Sequence, residues 1–256
     1  MKKGSEGKKK FRIRWRLWLG IAVAGAIAVP SALGARSAWR FVLSDPQFTL
    51  SRDRTGALAI QGLRYTSRAK VQRIFATDFG RSVFALPLEE RRRRLLGIDW
   101  VEDASVSRVW PDRLAVRIRE RRPVAFVLLR SGWLLIDSQG ILLDPPAHAQ
   151  FTFPVLSGVG EDESEAQRRE GVRTMLQVEE ELGEQARNLS EVNVSDASNI
   201  RIVAQVENRT LEFILGDSGF GRRYQNFLSH YAEIKRRSPE VKTFDLRLED
   251  RITAKE

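Results

Sequence analysis

Gly216-Asp217-Ser218-Gly219 places a serine between flexible residues and beside a carboxylate, the residue types of an acyl-transfer nucleophile loop. A serine hydroxyl attacks only when a positioned base takes its proton. The 256-residue chain holds two histidines, His148 and His230. His148 sits in a Pro/Ala-rich stretch with no motif to orient it, and His230 falls on a helical face beside Tyr231. Phe220 stands where the nucleophile-elbow pattern G-x-S-x-G needs its second glycine. The run is expected to be a turn leading into a helix.

The other chemistry-bearing clusters fare no better. Glu161-Asp162-Glu163 and Glu179-Glu180-Glu181 could suggest metal or glycosidase carboxylates, but no histidine joins them and both fall in solvated loop or helix. Cysteine is absent, which removes thiolate nucleophiles and zinc ribbons. No dinucleotide or phosphate-binding glycine loop occurs. The expectation is a protein that binds other proteins, with no catalysis, cofactor, metal or small-molecule substrate.

The net charge of +10 is unevenly spread: +9 over residues 1–56, +7 over 57–125 and −6 over 126–256. Nucleic-acid binding wants such charge on a recognition surface with a groove-reading motif; here much of it flanks an apolar run. Leu17 to Ala35 is nineteen residues without a charge, about 28 Å as a helix and close to the hydrocarbon thickness of a bilayer. Trp18 lies near its start and Pro30 late in it, where a kink is tolerable. Eight Lys/Arg precede the span, while only Arg36 and Arg40 follow closely. That bias orients a single-pass anchor with residues 1–16 in the cytoplasm and the bulk outside. The competing reading is a signal peptide cleaved after Gly34, which would release a soluble external protein.

Beyond an expected linker at 36–56, the pattern is α+β. A short strand at Leu58–Ile60 precedes a helix capped by Ser67, with Val71, Ile74, Phe75 and Phe79 on one face. A second helix opens at Leu86-Pro87, with Glu89 and Glu90 early and Arg91 to Arg94 late, as the helix dipole favours. Alternating residues around Trp110-Pro111-Asp112-Arg113 predict a hairpin. Strands follow at 124–129, 133–136 and 141–143. A helix carries Val172, Met175, Leu176 and Leu182, and a hairpin spans 200–215. A last helix has Phe220, Tyr224, Phe227, Leu228 and Tyr231 on one face. The final strand, Val241 to Thr253, puts Phe244, Leu246, Leu248 and Ile252 on one side, with Thr243, Asp245, Arg247, Glu249 and Arg251 on the other.

Ile98-Asp99-Trp100-Val101, the alternation through Trp110-Pro111 and Glu120-Arg121-Arg122-Pro123-Val124-Ala125 resemble the bacterial division family FtsQ/DivIB. Ile60-Gln61-Gly62-Leu63 and Ser82-Val83-Phe84-Ala85-Leu86 suit the same family. So do Trp133-Leu134-Leu135-Ile136-Asp137, Phe153-Pro154-Val155-Leu156-Ser157-Gly158 and Phe244-Asp245-Leu246-Arg247. The resemblance implies a βααββ POTRA domain at 57–125. It also implies a mainly antiparallel β-domain with flanking helices at 126–253, leaving 254–256 as a tail. It further implies a septal scaffold of the inner membrane, holding FtsB/FtsL-like bitopic proteins and other divisome components and licensing septal peptidoglycan synthesis. The POTRA domain is linked to recruitment into the division complex. A cleaved periplasmic POTRA chaperone or translocation accessory is the alternative. Partner contacts are expected on the last strand, at Phe244, Arg247, Leu248, Glu249, Asp250, Arg251, Ile252 and Thr253. Leu248 stands where some relatives carry an aromatic residue.

Overall fold

A computed structural model describes residues 26–31, 33–147, 149–248 and 251–255. It divides into two units, one taking residues up to Gly97 with Asp103–Arg119, the other Ile98–Glu102 with Glu120 onward.

In the first unit, residues 26–31 and 33–44 are helical (α1). Among the described residues no helix is long and apolar enough to cross a membrane. Pro30 and Ala35 lie in α1, exposed, whereas Leu17 and Trp18 lie outside the described residues. Residues 36–56, expected as a linker, differ from that expectation. They are helical to 44, make a 3₁₀ turn at Pro46–Phe48, and place Leu50 fully buried. Leu50 is apolar and its N–H donates to Arg81 O at 2.9 Å, so this stretch closes the core instead of crossing solvent.

The unit then runs β1 (Leu58–Gln61), α2 (Arg68–Ile74), α3 (Leu88–Leu96) and all but the ends of β2 (Val101–Val109) and β3 (Arg113–Glu120). The sheet order is β1-β3-β2, with β1 parallel to β3 from Leu58↔Leu114 to Gln61↔Arg117. A three-residue connection makes β2 and β3 a hairpin. The α2 helix is shorter than its apolar stripe suggested and ends before Phe75, although Val71 and Phe75 are fully buried as expected. Glu89 and Glu90 open α3 and Arg93 and Arg94 close it. Gly62, at φ 87°, crosses so near β3 that a Cβ would sit 1.9 Å from Ile118 O, so only glycine fits.

The second unit is a nine-stranded sheet in the order β12-β11-β10-β9-β8-β7-β4-β5-β6. These strands are β4 (Pro123–Leu129), β5 (Gly132–Asp137), β6 (Leu142–Leu143), β7 (Val155–Ser157), β8 (Leu189–Asn193), β9 (Ile200–Val206), β10 (Arg209–Gly216), β11 (Thr243–Asp245) and β12 (Thr253–Lys255). Five neighbouring pairs are antiparallel, while β4–β7, β7–β8 and β10–β11 are parallel. Two eighteen-residue helices, α4 (Glu165–Leu182) and α5 (Phe220–Arg237), bring Val172, Met175 and Val178, and Phe220, Tyr224 and Phe227, into one core with the sheet. Ser164 and Gln167 form a reciprocal capping box at the start of α4.

The expected single strand from Val241 to Thr253 is corrected: it is two short strands, β11 and β12, folded back on each other. After Asp245 the side chain of Arg247 turns back to bond that carboxylate, and the backbone leaves the sheet. The region expected as a tail therefore contributes two of the three residues of β12.

Candidate functional site

Ser218 has the surroundings of a turn. Its hydroxyl donates to the neighbouring Asp217 carboxylate at 3.0 Å, and Gly219, at φ 64°, leads directly into α5. His230 is exposed on α5, its Nδ1 within 2.9 Å of Asn226 O and 3.1 Å of Ser229 Oγ. His148 lies outside the described residues.

The C-terminal edge of the large sheet is built outward from β10. Phe213 of β10 pairs with Phe244 of β11 and meets Phe227 at a ring distance of 4.8 Å; Phe244 lies 4.9 Å from the same Phe227 ring. Fully burying such a ring is worth on the order of 2–3 kcal/mol, which holds the three-residue β11 in place. Leu246 N–H donates to Ile214 O at 2.9 Å and extends that contact by one residue. Next, β12 pairs antiparallel with β11, from Thr243↔Lys255 to Asp245↔Thr253. All three of its residues are exposed, and among the described residues no strand lies on its outer side.

Asp245 locks the turn between these strands. Arg247 grips it with both Nε, 2.9 Å, and Nη2, 2.6 Å, while the Arg247 backbone N–H donates at 3.2 Å. Hydrogen bonding from Arg247, aided by Lys255 Nζ at 3.6 Å, holds the Asp245 carboxyl down at about 2. The remaining Arg247 nitrogen, Nη1, donates to Asn199 Oδ1 at 2.8 Å, fastening the turn to the loop before β9.

Beside this edge lies a cleft of about 260 Å³ lined by Arg222, Arg223, Asn226, Leu246, Leu248 and Ile252. Its floor is apolar and its wall cationic. Arg223 is fixed by donating Nη1 to Leu215 O, over Gly216, where a Cβ would lie 2.6 Å from that nitrogen. Backbone donors and acceptors on the outer side of β12 can accept an added strand, and the cleft can take an apolar side chain followed by an acid.

The expected contact residues divide. Leu248, 57% exposed, and half-buried Ile252 reach the cleft; Arg251 and Thr253 are exposed; Arg247 is committed to Asp245 and Asn199. Phe244 belongs to the core at 1% exposure, so its place in the contact set is corrected: the ring holds β11 and cannot face a partner. Glu249 and Asp250 lie outside the described residues. Ala254 and Lys255 of the edge, and Arg222, Arg223 and Asn226 of the wall, were not anticipated. One signal was available, because Arg222 and Arg223 fall in the first turn of α5, where the helix dipole disfavours cations.

The same two-part organisation appears in comparison with known proteins. Residues 54–121 match the POTRA domain, FtsQ-type, and residues 125–247 match the cell division protein FtsQ/DivIB C-terminal family. The Cell division protein FtsQ of Koribacter versatilis is 31% identical over 238 residues, covering 91% of this chain. Those of Zymomonas mobilis and Bordetella pertussis are 37% identical over 102 residues and 34% over 133, covering 40% and 50% of this chain. The matches span 66%, 32% and 48% of these relatives' own lengths, less than two thirds of each. A βααββ unit matching the FtsQ-type POTRA domain, a β-rich unit matching the FtsQ/DivIB C-terminal domain, and relatives that are cell division proteins make this chain a member of the FtsQ/DivIB family of cell-division proteins.

Proposed function

We propose that the chain is a scaffold of the division septum, anchored by Leu17 to Ala35 with its N-terminus in the cytoplasm, and that it holds an FtsB/FtsL-like bitopic partner on β12. The observation carrying this is the exposed outer side of β12 next to the Leu246–Leu248–Ile252 cleft. An extended partner segment adds a strand along Thr253–Lys255 through backbone hydrogen bonds. One of its apolar side chains enters the cleft, and an acidic residue meets Arg222 and Arg223. Through that contact the chain links early and late division proteins and controls septal peptidoglycan synthesis; it performs no chemistry itself. The likeness in family supports the role in division, and the edge geometry supports the mode of binding. Because Phe213, Phe227 and Phe244 hold the core without β12, removing Glu249–Glu256 should leave circular dichroism and melting unchanged. The truncated chain should lose capture of a purified FtsB-like partner; retained capture at unchanged affinity would place the interface elsewhere.

A further inference from the structure

Trp110 is the most exposed large apolar side chain among the described residues, 71% open at the tip between β2 and β3. Val109 beside it is also exposed. Together they make an apolar tip whose indole, apolar in body with one polar N–H, suits a membrane–water interface.

Its position within the first unit says what covers it. Arg108, next to the tip, donates Nε to Val83 O at 2.7 Å and Nη2 to Leu86 O at 2.9 Å. Ser82 in turn donates its hydroxyl to Val42 O of α1 at 2.9 Å, and Thr49 bridges Ser82. Behind the tip, Asp112 is ion-paired with Arg54. Ser44, at the end of α1, and Asp112 line one open hollow. The hairpin tip and the exit of α1 therefore share one end of the unit, and β3 leads away from it.

Distances and charge agree with that placement. From Arg36 to Ser44 is nine helical residues, about 14 Å. The headgroup layer of one leaflet takes up roughly 5–8 Å of this. What is left is about one Debye length at physiological salt, within reach of the surface potential of a membrane. Residues 45–54, 79–82 and 108–113 hold five arginines against three aspartates, and Arg36 and Arg40 add to the excess. Trp39 and Phe41 are exposed on α1 between Arg36 and Ser44, where an aromatic belt is expected.

We propose that the Val109–Trp110 tip rests on the outer headgroup surface of the bilayer holding the chain's own anchor, with anionic phospholipid as its ligand. The tryptophan lies at the interface and exposed Arg113 beside it meets lipid phosphates, with the basic excess around the tip adding long-range attraction. The contact fixes how the first unit stands on the membrane. It rests on the reading of Leu17 to Ala35 as a spanning helix.

The chain has no cysteine, so Val109→Cys gives a single site for a nitroxide on the full-length chain in vesicles of phosphatidylglycerol and phosphatidylcholine. Compared with the same label at exposed Gln61→Cys on β1, collisions with oxygen should rise and collisions with a water-soluble nickel chelate should fall several-fold. Adding Trp110→Ser, or separately Arg113→Glu, should return the label to its aqueous value with unchanged circular dichroism. Equal shielding in phosphatidylcholine alone would overturn the choice of anionic lipid. A chain that resists alkaline extraction yet keeps an aqueous Val109 label overturns the contact and spares the anchor. A chain stripped by alkali overturns the anchor, and the contact with it.

Discussion

In the first unit the short helix α3 is tied to its surroundings by charge; in the second a stack of rings closes the core beneath α5, and Arg168 of α4 and Arg223 of α5 add bonds to backbone carbonyls. Arg91 of α3, 4% exposed, donates Nε and Nη2 to the fully buried Asp78 carboxylate at 2.7 and 2.6 Å, and Asp78 raises the pKa of that guanidinium further. Arg92 donates to Ala104 O at 2.8 Å, and Arg108 closes two more backbone carbonyls. The second unit instead stacks Phe213, Tyr224, Phe227 and Phe244 between α5 and the sheet edge. The difference follows from helix length. Helices of seven and nine residues present few apolar positions, so arginines that reach across and satisfy loop carbonyls complete the enclosure. Eighteen-residue helices present about five turns of apolar stripe, so a bond such as Arg168 Nε to Gly140 O, 2.9 Å, adds to a core that the stripe already closes. A core closed by charge depends on complete pairing, whereas a core closed by rings depends on volume.

That contrast can be broken at four points. The largest effect is expected at Arg91→Ala, which leaves Asp78 in the interior with only Arg81 Nη1, at 3.9 Å, to pair with among the described residues, and should cost the first unit about 3–5 kcal/mol in urea unfolding. Asp78→Leu combined with Arg91→Met should recover most of the loss; a double variant as weak as the single one would mean the pair does more than neutralise itself. Phe244→Ala removes a ring from the second core and should cost about 3–4 kcal/mol, loosening β11 and abolishing partner capture with it. Stability unchanged by this truncation would show that β11 is not held by the ring stack.

Smaller effects separate electrostatic from apolar stabilisation within the second unit. The Asp245 carboxyl is held near 2, below its ordinary value of 3.8, so its contribution is present above about pH 4 and is lost as pH falls through 2. Because Arg247 is partly exposed, that contribution is on the order of 1–2 kcal/mol. The stability difference between the parent and Asp245→Asn should therefore shrink from this value at pH 6 to near zero at pH 2; a pH-independent difference would rule out the ion pair as its source. Tyr224 buries its hydroxyl with no hydrogen-bond partner among the described residues, and burial pushes its ionisation up to about 12. Tyr224→Phe should thus change stability by less than about 1 kcal/mol, in the stabilising direction. A loss beyond that, measured by thermal melting, would reveal a partner for the hydroxyl.

Local periodicity was sufficient wherever an element is long or turns at once on its neighbour. Phe220, Tyr224, Phe227 and Tyr231 recur at three- and four-residue spacing and are all buried on α5. The two alternating runs around Glu207-Asn208 pair as the β9–β10 hairpin, and those around Trp110-Pro111 as β2 and β3. These outcomes rest on contacts between residues close in the chain, which composition and spacing encode directly. Phe244 and Leu246 were likewise legible as the inward side of the last strand, and both are buried.

Other features were decided by residues far apart. Nothing in Thr253-Ala254-Lys255 marks an edge strand; it becomes one because β11 offers a free side after Asp245 captures Arg247. The five residues of β8 acquire a place only because β7 and β9 flank them. Leu248 and Phe244 share a face by alternation, yet one is exposed and the other buried, because the backbone leaves the sheet between them. Arg91 belongs to a run of four arginines suited to a solvated helix end, and it is buried only because a turn thirteen residues earlier delivers Asp78 to it. Spacing along the chain determined which face of each element is apolar. Which backbone edge stays open, and which charges find a partner inside, was settled by pairings between distant segments, whose cost and gain appear only once the whole sheet is assembled.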